Sequence, residues 1–196
     1  MRIISLVSCT AKKVDSRSPA KDLYISPWFQ KARKWAEGLS REWFILSARH
    51  YLVHPATILD PYEYSLDDYL KDHPDLSAWV NMVVFGLLSE LGLWGTPSHP
   101  TEYPYDNKNT VLVLMAGDKY RRELVPRLNQ LGFAVYHPTP GMGIGEQLSY
   151  FSNTDPQSII ADLQNLLDNH KWEAWAPLPF VSAEPRRTHS PIKENP

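Results

Sequence analysis

Four short aliphatic runs, each closing on a polar turn, constrain the fold of this chain more than any other feature. They occupy residues 3–7, 43–46, 111–115 and 133–136. Near-continuous Val, Ile and Leu without polar alternation is the pattern of a strand covered on both faces. Helical signals fall between the runs. Pro27 suits a first helical turn behind Ser26 as N-cap, and Phe29, Ala32, Ala36 and Leu39 recur at helical spacing, with Gly38 near the end. Residues 76–93 read as a strongly apolar, buried helix, and residues 119–131 as another that Gly132 stops. A short helix follows the glycines at 141–145, and Asp155-Pro156 caps a last one over 157–169. The expectation is an α/β three-layer sandwich with a mostly parallel, four-stranded central sheet.

Two stretches escape this pattern. Residues 50–75 read as a long loop rich in Pro, Tyr and Asp, far beyond the usual connection of about 4–6 residues. A second irregular stretch covers 95–109. From Ala176 onward Pro recurs without periodicity, so the reading is one α/β domain over 1–175 and a disordered tail over 176–196.

Charge bears on the partner. The net charge is −2, yet residues 1–50 carry ten Lys/Arg against four Asp/Glu, and residues 51–110 carry two against nine. A locally basic face is what a phosphate backbone would feel; the other reading is a solvated helix surface around residues 27–41. A single cysteine, Cys9, leaves no internal disulfide, and no run of about 18 apolar residues crosses a membrane. The first residues lack a secretory signal, so the expected location is cytoplasmic, with no membrane partner.

In an open α/β sheet, ligands sit beyond the carboxyl ends of the strands, and four polar turns meet there. The first carries Ser8, Cys9, Lys12 and Lys13; its hydroxyls, amides and ammoniums suit a phosphate, and Cys9 reads as a nucleophile beside those cations or as a small buried residue. The second carries Ser47, Arg49, His50 and Tyr51, with Tyr62 further on; the cations suit phosphate and the rings suit a base. The third offers Gly117, Asp118 and Tyr120. The fourth runs from His137 through Gly141, Gly143 and Gly145 to Glu146 and Gln147, glycines that let a backbone approach a flat ring or phosphate. No cofactor or metal is expected: His50 and His54 lack a companion Glu, and neither a phosphate-binding loop nor a G-x-S-x-G elbow is present.

The segments SCTAKK, SPAKDLYISPWF, WFILSARHYLVHP, DPYEYSL, AGDKYRREL and GMGIGEQL together resemble a small family from bacteria and phages classed as a domain of unknown function. The resemblance covers about residues 3–151. Its pattern Leu-Ser-Ala-x-x-Gly-Leu departs at one place, where this chain has Tyr51 before Leu52. That family is similar in architecture to the uracil-DNA glycosylase superfamily. VLVLMAGDKY looks like the glycosylase strand that precedes a helix, and YHPTP like the loop whose His polarises the leaving base. Asp60-Pro61-Tyr62 echoes the water-activating Asp-Pro-Tyr, though after the second strand. Within this architecture the chain also resembles phage-defence DNA glycosylases that remove glucosylated hydroxymethylcytosine.

The resemblance implies excision of a modified base from DNA to leave an abasic site, with the base flipped out of the helix. Breaking a glycosidic bond needs a donor for the departing base and a carboxylate to orient water. His137 is the expected donor, and Asp60, Glu63, Asp118 and Glu146 are the candidate carboxylates. Two other readings stay open: a non-catalytic nucleic-acid-binding module of the same fold, and an enzyme of free nucleotides or nucleosides.

Overall fold

The computed structural model describes residues 1–92 and 109–170. The irregular stretch at 95–109 falls outside these residues except at its last position, and the tail from 176 lies wholly outside. Four expected strands are present as β1 (Arg2–Ser8), β3 (Glu42–Ser47), β6 (Thr110–Met115) and β7 (Ala134–Tyr136). A fifth strand, β4 (Tyr51–Val53), corrects the expected count of four. The sheet runs β4-β3-β1-β6-β7, parallel throughout except that β4 pairs antiparallel with β3.

Residues 50–75 are more ordered than a loop. Besides β4 they hold β5 (Ile58–Leu59), paired with β2 (Ser18–Pro19), and helix α3 (Leu66–Asp72). Ser65 and Asp68 close a capping box on α3, a short S-x-x-D signal present in the sequence. β4 has no comparable signal. Three residues form it because β3 supplies the partner, with Ser47 opposite Tyr51.

Helices cover both faces. α1 (Ala20–Leu23), α2 (Pro27–Leu39), α6 (Ile144–Asn153) and α7 (Ile160–Asn169) pack on Val7, Ile45, Val111, Val113 and Met115. α3, α4 (Ser77–Glu90) and α5 (Asp118–Gln130) pack on Ile4, Leu6, Leu46, Leu112 and Leu114. The alternation along β1 and β6 thus feeds two cores, which is why these strands read as unbroken apolar runs. Ser26 caps α2 by accepting from the Phe29 amide at 3.1 Å. A 310 turn, Pro156–Ile159, precedes α7, and Asp155 accepts from Gln157 N there. α4 differs from its reading as a buried helix: Trp79, Val80, Val83, Val84 and Leu87 are buried, while Met82 and Phe85 are about half exposed.

The chain leaves β1 toward the α2 face and leaves β6 toward the α5 face. Neighbouring strands whose connections diverge in this way open a crevice at their carboxyl ends. No helix among the described residues is long and apolar enough to cross a membrane.

Candidate functional site

The crevice between β1 and β6 is a cleft of about 440 Å³, within the usual 300–1,000 Å³ range for a ligand pocket. Cys9, Thr10, Lys13, Glu63, Lys119 and Tyr120 line it together with the start of α3. The Cys9 amide donates to Leu46 O at 2.8 Å, which carries the β1–β3 pairing one residue past the strand. Its thiol meets the Tyr120 hydroxyl at 3.5 Å, so the first and third turns touch across the crevice. Tyr120 is held edge-on against Trp79, whose indole N–H donates to Ser47 O at 3.0 Å. Burial, then the neighbouring Cys9, pushes the Tyr120 phenol far above its ordinary value, so it stays a neutral donor. Thr10 Oγ1 is buried at this wall without a hydrogen-bond partner among the described residues.

Tyr62 lies beneath the cleft. Only 6% exposed, its hydroxyl contacts Tyr24 Oη at 2.7 Å and Ser47 Oγ at 2.8 Å. Ser47 Oγ already accepts from the amides of Arg49 (3.2 Å) and His50 (2.9 Å), so its own proton goes to Tyr62. Burial pushes Tyr62 up to about 12 and drives Tyr24 still higher. Around the Tyr62 ring stand Lys13 Nζ at 4.3 Å, Arg49 Cζ at 5.6 Å and, edge-on, His50 at 4.9 Å. Tyr62 therefore acts as a buried platform for cations, where its sequence context had suggested a ring stacked on a base. His50 is held below its ordinary value by burial and by the Arg49 charge, which keeps it neutral near pH 7.

The four candidate carboxylates separate cleanly. Glu146 accepts from Gly143 N at 2.7 Å and is used to cap α6. Asp118 pairs with Arg121 on the exposed side of α5. Asp60 is exposed and does not line the cleft. Glu63 lines it and makes no hydrogen bond or ion pair among the described residues. Asp67, unnoticed in the sequence, holds Lys119 through both carboxylate oxygens at 2.5 and 2.7 Å, joining α3 to α5 at the cleft.

The fourth turn lies beyond β7. His137 Nδ1 is 3.0 Å from Leu114 O. A carbonyl only accepts, so Nδ1 carries the proton and Nε2 of the neutral ring is a bare acceptor. Burial and the Arg121 charge lower the His137 pKa against weaker opposing effects of Leu114 O and Asp118. The neutral ring thus has the polarity opposite to the expected leaving-group donor. Gln147 is turned inward: Oε1 accepts from Trp28 Nε1 at 2.7 Å, and Nε2 donates to Met142 O at 2.8 Å. Gly141 has φ +73°, a conformation that favours glycine. Gly117 and Gly145 are exposed, and a Cβ at either would meet no atom of the described residues within 4 Å.

Of the remaining candidates, Ser8 is buried within β1, and Lys12 is exposed outside the cleft, its carbonyl accepting from Ile25 N. Tyr51 has φ +62° and is half-buried. This is the position where the family pattern has Gly, so here a tyrosine occupies left-handed backbone. Tyr24, Trp28, Trp79 and Lys119 were missed because each acts through residues far away in sequence. Among the described residues no group of three His, Cys, Asp or Glu is placed to hold a metal ion. Residues 4–153 match the model of a family described as Family of unknown function (DUF6884), and the chain belongs to that family. No curated protein and no solved structure shows significant similarity to it.

Proposed function

We propose that this member of the DUF6884 family is a DNA N-glycosylase that removes a modified base and leaves an abasic site. The observation that carries the reading is Glu63: of the four candidate carboxylates it alone both lines the β1–β6 crevice and has no hydrogen bond or ion pair among the described residues. Hydrolysis needs such a group to hold water against C1′ of the sugar. The C1′–N bond breaks, its electron pair leaves on the base, the water oxygen bonds C1′ and the water proton passes to Glu63. Tyr120, kept protonated by burial, offers its hydroxyl to the departing base, and Lys13 adds positive charge on the same wall.

The resemblance to phage-defence glycosylases makes glucosylated hydroxymethylcytosine the first substrate to try. The test uses the full chain and three duplexes of one sequence, carrying cytosine, hydroxymethylcytosine or its glucoside, followed by alkaline cleavage at abasic sites. Strand breaks only in modified duplexes support the reading. Binding without breaks indicates a non-catalytic DNA module. Hydrolysis of free nucleotides with intact duplexes indicates a nucleotide enzyme.

A further inference from the structure

We infer that Lys13 and Arg49, seated on the Tyr62 ring, form a phosphate clamp that grips the strand presenting the target base. The two charges lie 4.3 and 5.6 Å from one ring centroid, hence within about one Debye length of each other at 0.1 M salt. No carboxylate among the described residues lies within ion-pairing distance of either, so neither charge is neutralised at its place on the ring. Lys13 donates one proton to Ala11 O at 3.1 Å, and its other two protons have no acceptor among the described residues. Two like charges held against one ring, neither paired with a carboxylate among the described residues, are stabilised by an anion that reaches both.

The platform is rigid where the cations are not. Tyr62 is fixed at its hydroxyl by Tyr24 and Ser47, and Ser47 fixes the turn carrying Arg49 through the Arg49 and His50 amides. One serine and one tyrosine therefore align cations from the β1 and β3 turns. Lys13 also lines the cleft that holds Glu63, which puts the anion beside the reacting sugar. In a nucleic acid the group in that place is the phosphodiester next to the target nucleotide. Lys12, outside the cleft, has no part in the clamp.

The clamp rests on the glycosylase reading for the identity of the strand, but its test does not use base release. The full chain is titrated with a fluorescent single-stranded oligodeoxynucleotide at several salt concentrations, and separately with deoxycytidine monophosphate. Lys13→Gln and Arg49→Gln keep part of each stem on the ring, and a thermal melt confirms folding. Each should make the slope of log affinity against log salt shallower by about 0.7, the value for one contact to a single strand. Lys13→Arg should restore it. Lys34→Ala, on the exposed face of α2, should leave it unchanged. An unchanged slope in the Gln variants, or an equal loss in Lys34→Ala, would overturn the clamp in favour of diffuse attraction. Monophosphate binding as tight as the strand's, and lost in Lys13→Gln, would reassign it to free nucleotides. Slope loss without abasic sites would keep the clamp and sink the glycosylase.

Discussion

Replacing Tyr62 with Phe removes one oxygen from the centre of the Tyr24–Tyr62–Ser47 chain and nothing else. Tyr24 loses the partner of its buried hydroxyl, at 2.7 Å, and Ser47 loses the acceptor for its proton, at 2.8 Å. An orphaned buried hydroxyl costs about 1–3 kcal/mol and an ordinary lost hydrogen bond about 0.5–1.5 kcal/mol. The ring stays, so packing and both cation contacts survive. Tyr62→Phe should therefore destabilise by about 2–4 kcal/mol at pH 7.5, or roughly 4–16 °C in Tm at the 2–4 °C per kcal/mol expected of this size. Alkali gives an independent signature. Burial raises the phenol from about 10 unfolded to about 12 folded. Its contribution is thus fully present below pH 10 and is lost as pH rises through 12, at up to about 1.4 kcal/mol per pH unit. Urea unfolding at pH 7.5, 10 and 11 measures both effects. The variant should start lower and fall less steeply between pH 10 and 11. A loss below about 0.5 kcal/mol at pH 7.5, with an unchanged alkaline slope, would refute the hydroxyl chain.

Gly145→Ala, in the first turn of α6 with no atom near the new methyl, should raise stability by about 0.5–1 kcal/mol in a thermal or urea melt. If a base approaches that backbone, base release should fall in the same variant; a gain in both would remove the glycines from the site. Gly38→Ala should do the opposite to stability, because its Cβ would lie 2.8 Å from the ring carbon of Pro156; a loss of about 1–3 kcal/mol is expected, and a gain would contradict that packing. Tyr51→Gly should be tolerated while Tyr51→Val costs about 1–2 kcal/mol more, since φ +62° excludes a β-branched side chain; equal urea midpoints would contradict the left-handed turn. His137→Ala should slow base release less than tenfold, against the 10²–10³-fold loss of an oxyanion donor, because its neutral Nε2 has no proton to give.

The strands legible in the sequence were those buried on both faces, because burial leaves unbroken apolar runs such as residues 111–115. β4 was not legible: three residues carry no period, and only pairing with β3 makes them a strand. α3 was legible through Ser65 and Asp68 but lay within a Pro- and Asp-rich stretch read as loop. The sequence located two turns that line the cleft, those after β1 and β6, since they follow the strands; those after β3 and β7 do not line it. It did not reveal which side chains meet. Cys9 and Tyr120 touch across 111 positions, and Trp28 turns Gln147 inward across 119. The polarity of His137 depends on a carbonyl of the neighbouring strand. Tyr62 looked like a stacking ring because its burial under Lys13 and Arg49 is a tertiary fact.

Single-turnover release of free base by the wild-type chain and by Glu63→Gln tests the central claim most directly. The duplex carries the modified base that the abasic-site assay selects, enzyme is in excess, and the released base is quantified by chromatography. Glu63 makes no hydrogen bond or ion pair among the described residues, so the exchange leaves stability unchanged, and DNA affinity is measured alongside. Loss of a general base typically slows the chemical step by about 10²–10⁴-fold, and that loss is the predicted result. Base release by Glu63→Gln at the wild-type rate, with DNA bound as tightly, would contradict the account.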